Sequence, residues 1–139
     1  PHCKHASDTI KKLGEKYGDK VRFVFLDFPL REQGVSAQLA AGGVCAESQG
    51  KFWEYHYMAF DQQASTNGQS PEKFAQALKL DEGKFSKCMA DKATKDKVLE
   101  AREEGLRIGV EGTPAIYVNG KRVYSHEEKE ISAAIDSYM

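Results

Sequence analysis

The sequence has few cysteines, no excess of charge of either sign and no long hydrophobic run. Lys plus Arg number 20 and Asp plus Glu number 21, so the net charge is −1. Such a balance argues against a nucleic-acid-binding protein. No run of apolar residues is long enough to span a bilayer, and 40% hydrophobic residues are too many for a disordered chain. With 139 residues, the chain has the size of one globular domain.

The cysteines are Cys3, Cys45 and Cys88. Three are too few for a disulfide scaffold, and the odd number leaves one without a partner. No two of them lie two to four residues apart, as zinc fingers and ribbons require. The run Pro-His-Cys-Lys-His at residues 1–5 could supply metal ligands, but we find no second pair elsewhere in the sequence. We therefore expect no bound metal, and we expect His5 to be solvated surface.

Helical periodicity dominates the chain. Apolar positions spaced by four, three and four residues from Ala6 to Tyr17 mark one face of a helix, which Gly18 ends. A polar loop is predicted at residues 63–69. Further helices are predicted at residues 35–46, after Gly50, after the Ser70 cap with Pro71 at the first helical position, after the Asp81 cap, at residues 94–108 and near the C-terminus.

Two segments have strand character. Residues 21–26 are aromatic and β-branched, and their apolar character on both faces from Phe23 to Leu26 predicts a buried parallel strand. Asn119-Gly120 separates two further strand-like runs, which is the strongest short signal for a β-hairpin. The order helix, strand, helical block, hairpin, helix predicts an α/β fold. A strand just before Pro1 would join the buried strand and the hairpin in one sheet.

Several of these residues resemble a known family. Pro1-His2-Cys3 at the start of a helix resembles the last three positions of the Cys-Pro-His-Cys motif of the DsbA-like thiol:disulfide oxidoreductases. Gly112-Thr113-Pro114 resembles the cis-proline loop that faces this motif in the thioredoxin fold. The aromatic stretch at residues 49–60 and the segment at residues 85–88 resemble helices of the helical domain inserted in this family. The resemblance covers essentially the whole chain.

The resemblance implies an α/β, thioredoxin-like fold with an inserted α-helical subdomain. Residues 1–30 and 93–139 would form the two parts of the thioredoxin-like core, and residues 31–92 would form the insertion. The first core strand and the first cysteine of the family motif would precede Pro1. We therefore expect this sequence to be part of a longer polypeptide.

The resemblance also implies a reaction centre. It assigns catalytic roles to Cys3, His2 and Pro1, and substrate-binding roles to Thr113 and Pro114. A cysteine before Pro1 would lie at a helix N-terminus, where the helix dipole and unpaired N–H groups favour a thiolate. His2 would support that thiolate, and Cys3 would close the disulfide. A cis bond before Pro114 would leave the backbone of the preceding residue free to pair with an extended substrate.

Cys45 and Cys88 lie on predicted helices of the insertion, where similar family members carry cysteines. The resemblance implies a structural disulfide between them, and two buried free thiols in a reducing compartment are the alternative. His56 and His126 have no acidic or hydroxyl partner at a suggestive spacing. We assign both of them structural roles.

The implied function is a thiol:disulfide oxidoreductase that forms or reshuffles disulfides in exported client proteins. No cofactor is expected. The expected partners are unfolded or partly folded clients and a membrane redox partner, and the expected location is periplasmic or otherwise extracytoplasmic. Two alternatives stay open. One is a redox-inactive thioredoxin-fold peptide-binding module without the nucleophilic cysteine, and the other is a kappa-type glutathione transferase, which shares the helical insertion.

Overall fold

The computed structural model describes residues 2–29, 34–62 and 70–139. Apart from the first strand, the elements follow the predicted order. Within the described residues they are α1 (His2–Tyr17), a 3₁₀ turn (Gly18–Lys20), α2 (Val35–Glu47), α3 (Phe52–Asp61), α4 (Pro71–Ala77), α5 (Glu82–Ala90), α6 (Lys92–Arg107), β1 (Ile116–Val118), β2 (Lys121–Val123) and α7 (Glu128–Asp136).

The helix termini follow the capping residues of the sequence. The Ser70 hydroxyl accepts a hydrogen bond from the backbone N–H of Lys73 at 3.3 Å, and Pro71 occupies the first helical position. The Asp81 carboxylate accepts one from the backbone N–H of Lys84 at 2.9 Å. Each side chain thereby satisfies an N–H that has no partner within the helix. The predicted polar loop at residues 63–69 lies outside the described residues.

The buried strand predicted at residues 21–26 is not formed. Val21 has an extended backbone, with φ −128° and ψ 131°, but residues 22–29 form no helix or strand. Val24 and Leu26 are each 64% exposed. In the described part of the chain, the sheet consists of the hairpin strands alone. Val21 and Phe23 are partly buried against the core of the first unit. An extended segment needs a neighbouring strand for its ladder, so the apolar sequence by itself produces neither the hydrogen bonds nor burial on both faces.

The chain divides into two compact units. The first consists of Pro1–Phe25 and Val110–Met139, and the second of Leu26–Gly109. The boundaries predicted from the family resemblance, at residues 30/31 and 92/93, stay a prediction about the thioredoxin-like core and its insertion. Among the described residues, no helix has the length and apolar character needed to cross a membrane.

The first unit is held together by α1, α7 and the hairpin. Leu13 and Tyr17 on α1 are buried against Ile131 and Ile135 on α7, and the apolar hairpin residues pack on the same cluster. The Tyr17 hydroxyl lies 2.6 Å from the Ser132 hydroxyl and donates a hydrogen bond to the Asp136 carboxylate at 2.6 Å. This packing fixes helix α1 and the hairpin on one small core.

The second unit is a helical block in which α2 contacts α3, α4, α5 and α6. A close approach at Gly42 brings α2 near its neighbours, because a Cβ there would lie 2.8 Å from Cβ of Pro71. The Tyr55 hydroxyl donates a hydrogen bond to the Leu39 carbonyl at 2.8 Å. His56 is also buried, and this burial lowers its pKa to about 4. Its imidazole is therefore neutral at pH 7.

A disulfide joins α2 to α5 in this block. Cys45 and Cys88 are bonded with a Cα–Cα distance of 5.8 Å, and Cys45 is completely buried. The Thr94 hydroxyl donates a hydrogen bond to the Cys88 carbonyl at 2.7 Å and thereby ties the start of α6 to the same place. The bond closes a loop with a sequence separation of 43 residues.

Asp27 gives the second unit a pH-dependent stability. Burial raises the pKa of its carboxyl from 3.8 to about 6, with a further increase from Glu47 and an opposing effect from Lys97. Between about pH 4 and pH 6 the folded chain therefore binds more protons than the unfolded chain. Its free energy of unfolding is expected to fall as the pH rises through that range.

Asp27→Asn removes this penalty. We expect the stability of the variant relative to wild type to be greater at pH 7 than at about pH 3.5, by about 2 kcal/mol after allowance for solvent screening. Urea unfolding of both proteins at the two pH values measures this difference. If the free energies of unfolding of the variant and the wild type differ by the same amount at both pH values, the pKa of Asp27 is not raised in the folded protein. Contributions from other groups, including His56, are common to both proteins and cancel.

Candidate functional site

The first turn of α1 carries the residues that sequence analysis assigns to catalysis. His2 is exposed and Cys3 is partly buried. Cys3 is a free thiol, whereas Cys45 and Cys88 are joined in the disulfide. Pro1, to which the resemblance also assigns a catalytic role, lies outside the described residues. A half-buried free thiol in a first helical turn can form a disulfide with a neighbouring sulfur.

The Thr113–Pro114 loop leads into the hairpin of the same unit. The peptide bond between these residues is cis, as the family resemblance implies. Thr113 is exposed and Pro114 is partly buried. The hairpin after them has the predicted turn, since Asn119 (φ 49°) and Gly120 (φ 82°) both have positive φ. Its register pairs Ile116 with Val123.

His126 connects helix α1 with this loop. Its ring centroid lies 5.4 Å from that of His2 and 5.1 Å from that of His5, in an edge-to-face arrangement in the second case. His126 and Pro114 also line one open pocket of about 210 Å³. His2, which precedes Cys3 in the sequence, and Pro114 of the cis peptide therefore both lie beside the His126 imidazole.

The wall of this pocket is polar and carries a cation. Its lining residues are Pro114, Arg122, Val123, Tyr124, Ser125 and His126. The Arg122 guanidinium carbon lies 4.9 Å from the ring centroid of Tyr124 and 5.9 Å from that of Tyr117. Nε of Arg122 is buried without a hydrogen-bond partner among the residues that the structure describes. The pocket can therefore offer hydrogen-bond donors to a ligand that lies along Pro114.

The sequence alone indicates a structural role for His126, whereas the structure places this residue between the two predicted halves of the site. The hairpin register contains a signal that could have found it. Continuing the pairing of Ile116 with Val123 by two residues puts Ser125 across from Pro114, and by three residues puts His126 across from Thr113. The Asn-Gly turn fixes that register, so the position of His126 follows from the predicted hairpin.

Comparison with solved structures shows the fold. The thiol-disulfide exchange protein alpha-DsbA2 from Wolbachia pipientis matches 100% of this chain and 76% of its own, with a TM-score of 0.84 and 20% sequence identity. The oxidoreductase DsbA from Xylella fastidiosa matches 99% of this chain and 77% of its own, with a TM-score of 0.77 and 22% identity.

Among curated proteins, the chain is similar to segments of larger ones. It is 30% identical over 139 residues to the Na(+)/H(+) antiporter NhaA 3 of Salinispora tropica, covering 99% of this chain and 21% of the antiporter. It is 28% identical over 125 residues to the Na(+)/H(+) antiporter NhaA 1 of Mycolicibacterium vanbaalenii, covering 88% of this chain and 20% of the antiporter. The chain thus spans about a fifth of the length of these curated relatives.

The family called Thioredoxin matches residues 1–137, which include the helix that carries Cys3 and the cis-proline loop. The helices between these two features correspond to the helical content of the DsbA structures. The chain therefore belongs to the thioredoxin family and has a DsbA-like thioredoxin fold.

Proposed function

We propose that this chain is the exchange domain of a thiol:disulfide oxidoreductase that acts on client proteins outside the cytoplasm. The observation that carries the proposal is the convergence of the Cys3 helix and the cis Thr113–Pro114 loop around His126. A thiol supplies the reacting atom, and the loop supplies a surface for an extended chain. The same unit holds both.

The proposed reaction exchanges two electrons between two dithiol/disulfide pairs. A client thiolate attacks a disulfide formed by Cys3 and a second sulfur, displaces one sulfur as a thiolate and forms a mixed disulfide. The second client thiol loses its proton and attacks the client sulfur of that bond. The client leaves oxidised, and the protein keeps both electrons as a dithiol. The family resemblance puts the second sulfur at the position preceding Pro1.

The cis-proline loop would hold the client during this exchange. Thr113 is exposed, so its backbone groups can pair with an extended client segment, as in β-strand addition. Arg122 and Ser125 line the adjoining pocket and can donate hydrogen bonds to carbonyl or carboxylate groups of the client. Main-chain pairing of this kind binds many sequences, which suits an enzyme whose clients are unfolded.

The Cys45–Cys88 disulfide supports an extracytoplasmic location. Disulfides persist in oxidising compartments and are rare where glutathione and thioredoxin keep thiols reduced. The bond lies in the helical block and its Cys45 end is completely buried, which shields that sulfur from thiols in solution. We propose that it is structural and does not take part in exchange.

Reduction of insulin by dithiothreitol tests the proposed function. The full polypeptide is expected to shorten the lag before the insulin B chain precipitates, in proportion to its concentration. An equal amount of heat-denatured protein is the control for reduction of insulin by the protein's cysteine thiols in the absence of the folded site. A lag equal to that of dithiothreitol alone, from a folded sample, would contradict the exchange function. Binding of an unfolded peptide without any turnover would point to the redox-inactive binding module.

A further inference from the structure

We propose that His5, His126 and Glu127 form a binding site for Zn²⁺. The three side chains come from the first helix and from the segment after the hairpin, and they face one another within the first compact unit. One ligand atom from each residue lies within 4.8 Å of the other two. The proposal concerns binding of the ion and is independent of the exchange function.

The distances are close to those of a metal site without its ion. Nε2 of His5 lies 3.1 Å from Oε1 of Glu127, and Nε2 of His126 lies 3.9 Å from the same oxygen. Ligand atoms about 2.0–2.2 Å from a tetrahedral zinc are separated from one another by roughly 3.3–3.6 Å. Small rotations of the side chains are enough to reach that geometry. Such rotations are available because the His5 and Glu127 side chains are 48% and 59% exposed.

The donor set suits zinc. Two imidazoles and one carboxylate are a known set of three protein ligands for open zinc sites, in which water or another ligand takes the fourth position. Ca²⁺ and Mg²⁺ prefer oxygen ligands only, so the two imidazoles argue against them. Glu127 also supplies the negative charge that the site needs, because His5 lies near the N-terminus of α1, where the helix dipole disfavours a cation.

The sequence alone indicates no metal site, because the histidines at the start of the chain have no second pair of ligands near them in sequence. The second pair is His126-Glu127, more than a hundred residues away. Packing of α1 against α7 in the first unit brings His5 next to His126 and Glu127. His126 also contacts the ring of His2, so the proposed zinc site adjoins the first turn of the Cys3 helix.

Calorimetric titration with ZnCl₂ tests the proposal. The protein is prepared without a histidine tag and its thiols are first blocked with iodoacetamide, so that Cys3 does not bind the ion. We expect saturable binding of one Zn²⁺ per chain that EDTA reverses. His5→Ala and Glu127→Gln are each expected to weaken that binding by about tenfold or more. Both residues are at the surface, so thermal unfolding should show that both variants stay folded.

Glu128→Gln is the matched control, because Glu128 is the neighbouring exposed carboxylate outside the cluster. Its affinity for Zn²⁺ is expected to equal that of the wild type. The proposal is overturned if there is no saturable binding of ZnCl₂, or if either His5→Ala or Glu127→Gln binds the ion as tightly as the wild type. The contact between His5 and Glu127 would then be an ordinary imidazole–carboxylate pair. The zinc titration is independent of the insulin assay, because none of the three proposed zinc ligands is a thiol. A failed insulin assay would therefore leave the zinc proposal standing.

Discussion

Cys3→Ser is expected to lower the catalysed rate of insulin reduction by about two orders of magnitude or more, because without the Cys3 thiol the mixed disulfide is released only by dithiothreitol from solution, which lacks the high effective concentration of a neighbouring thiol. Serine is close to cysteine in size and position 3 is only partly buried. The fold should therefore be kept, and circular dichroism and thermal unfolding should match those of the wild type.

A purely structural role for Cys3 would predict a different pattern. Insulin reduction runs the proposed exchange in reverse, and in that direction Cys3 attacks the mixed disulfide, so the variant should accumulate covalently bound client that dithiothreitol releases only slowly. Lys12→Ala, at an exposed position of the same helix, is the control and should retain full activity. Turnover by Cys3→Ser at the wild-type rate would exclude Cys3 from the reaction.

The second large effect concerns the helical block. Replacing both Cys45 and Cys88 by alanine is expected to lower the free energy of unfolding by about 4 kcal/mol, because the 43-residue separation makes the loss of loop-closure entropy in the unfolded chain large. Alanine avoids burying a hydroxyl group at the completely buried Cys45 position. Urea unfolding, followed by far-ultraviolet circular dichroism, measures the change.

Two comparisons make this prediction specific. Unfolding of the wild type in a strong phosphine reductant should give a similar loss, since it removes the same crosslink without changing a side chain other than the two sulfurs. The double variant should also keep its activity in the insulin assay when assayed well below its unfolding midpoint. An unchanged urea midpoint would show that the disulfide does not stabilise the block.

Local signals in the sequence were sufficient for most helices. Ser70 and Asp81 cap the helices that they were predicted to cap, since an N-cap bond involves residues only three apart. The hairpin was predictable for the same reason, because Asn119 and Gly120 supply the positive φ values that its turn requires. Each of these features depends on a few neighbouring residues.

The strand predicted at residues 21–26 depends on a neighbouring strand, which a local sequence pattern does not reveal. Its residues have the apolar, β-branched character of a buried strand, but Val24 and Leu26 are exposed. A strand is defined by hydrogen bonds to a neighbour, and the described hairpin does not pair with this segment. The apolar composition therefore predicted burial on both faces, whereas only Val21 and Phe23 pack against the core of the first unit.

The site was predictable in part. The family resemblance pointed to Cys3, His2, Thr113 and Pro114, and the structure places the first two in the opening turn of α1 and the last two in a cis-peptide loop. The contacts of His126 with both regions were missed. They arise partly from the hairpin register, which the Asn-Gly turn predicts, and partly from the long-range packing of α1 on α7, which no short motif records.

The central claim is that Cys3 forms one half of a dithiol/disulfide pair. Equilibrating the full polypeptide with glutathione redox buffers, quenching with an alkylating agent and measuring intact and peptide masses tests it most directly. The account predicts a single two-electron transition in which Cys3 and one other cysteine change together, while Cys45 and Cys88 stay joined. A Cys3 that is alkylated at every buffer ratio, or that only acquires glutathione, would contradict it.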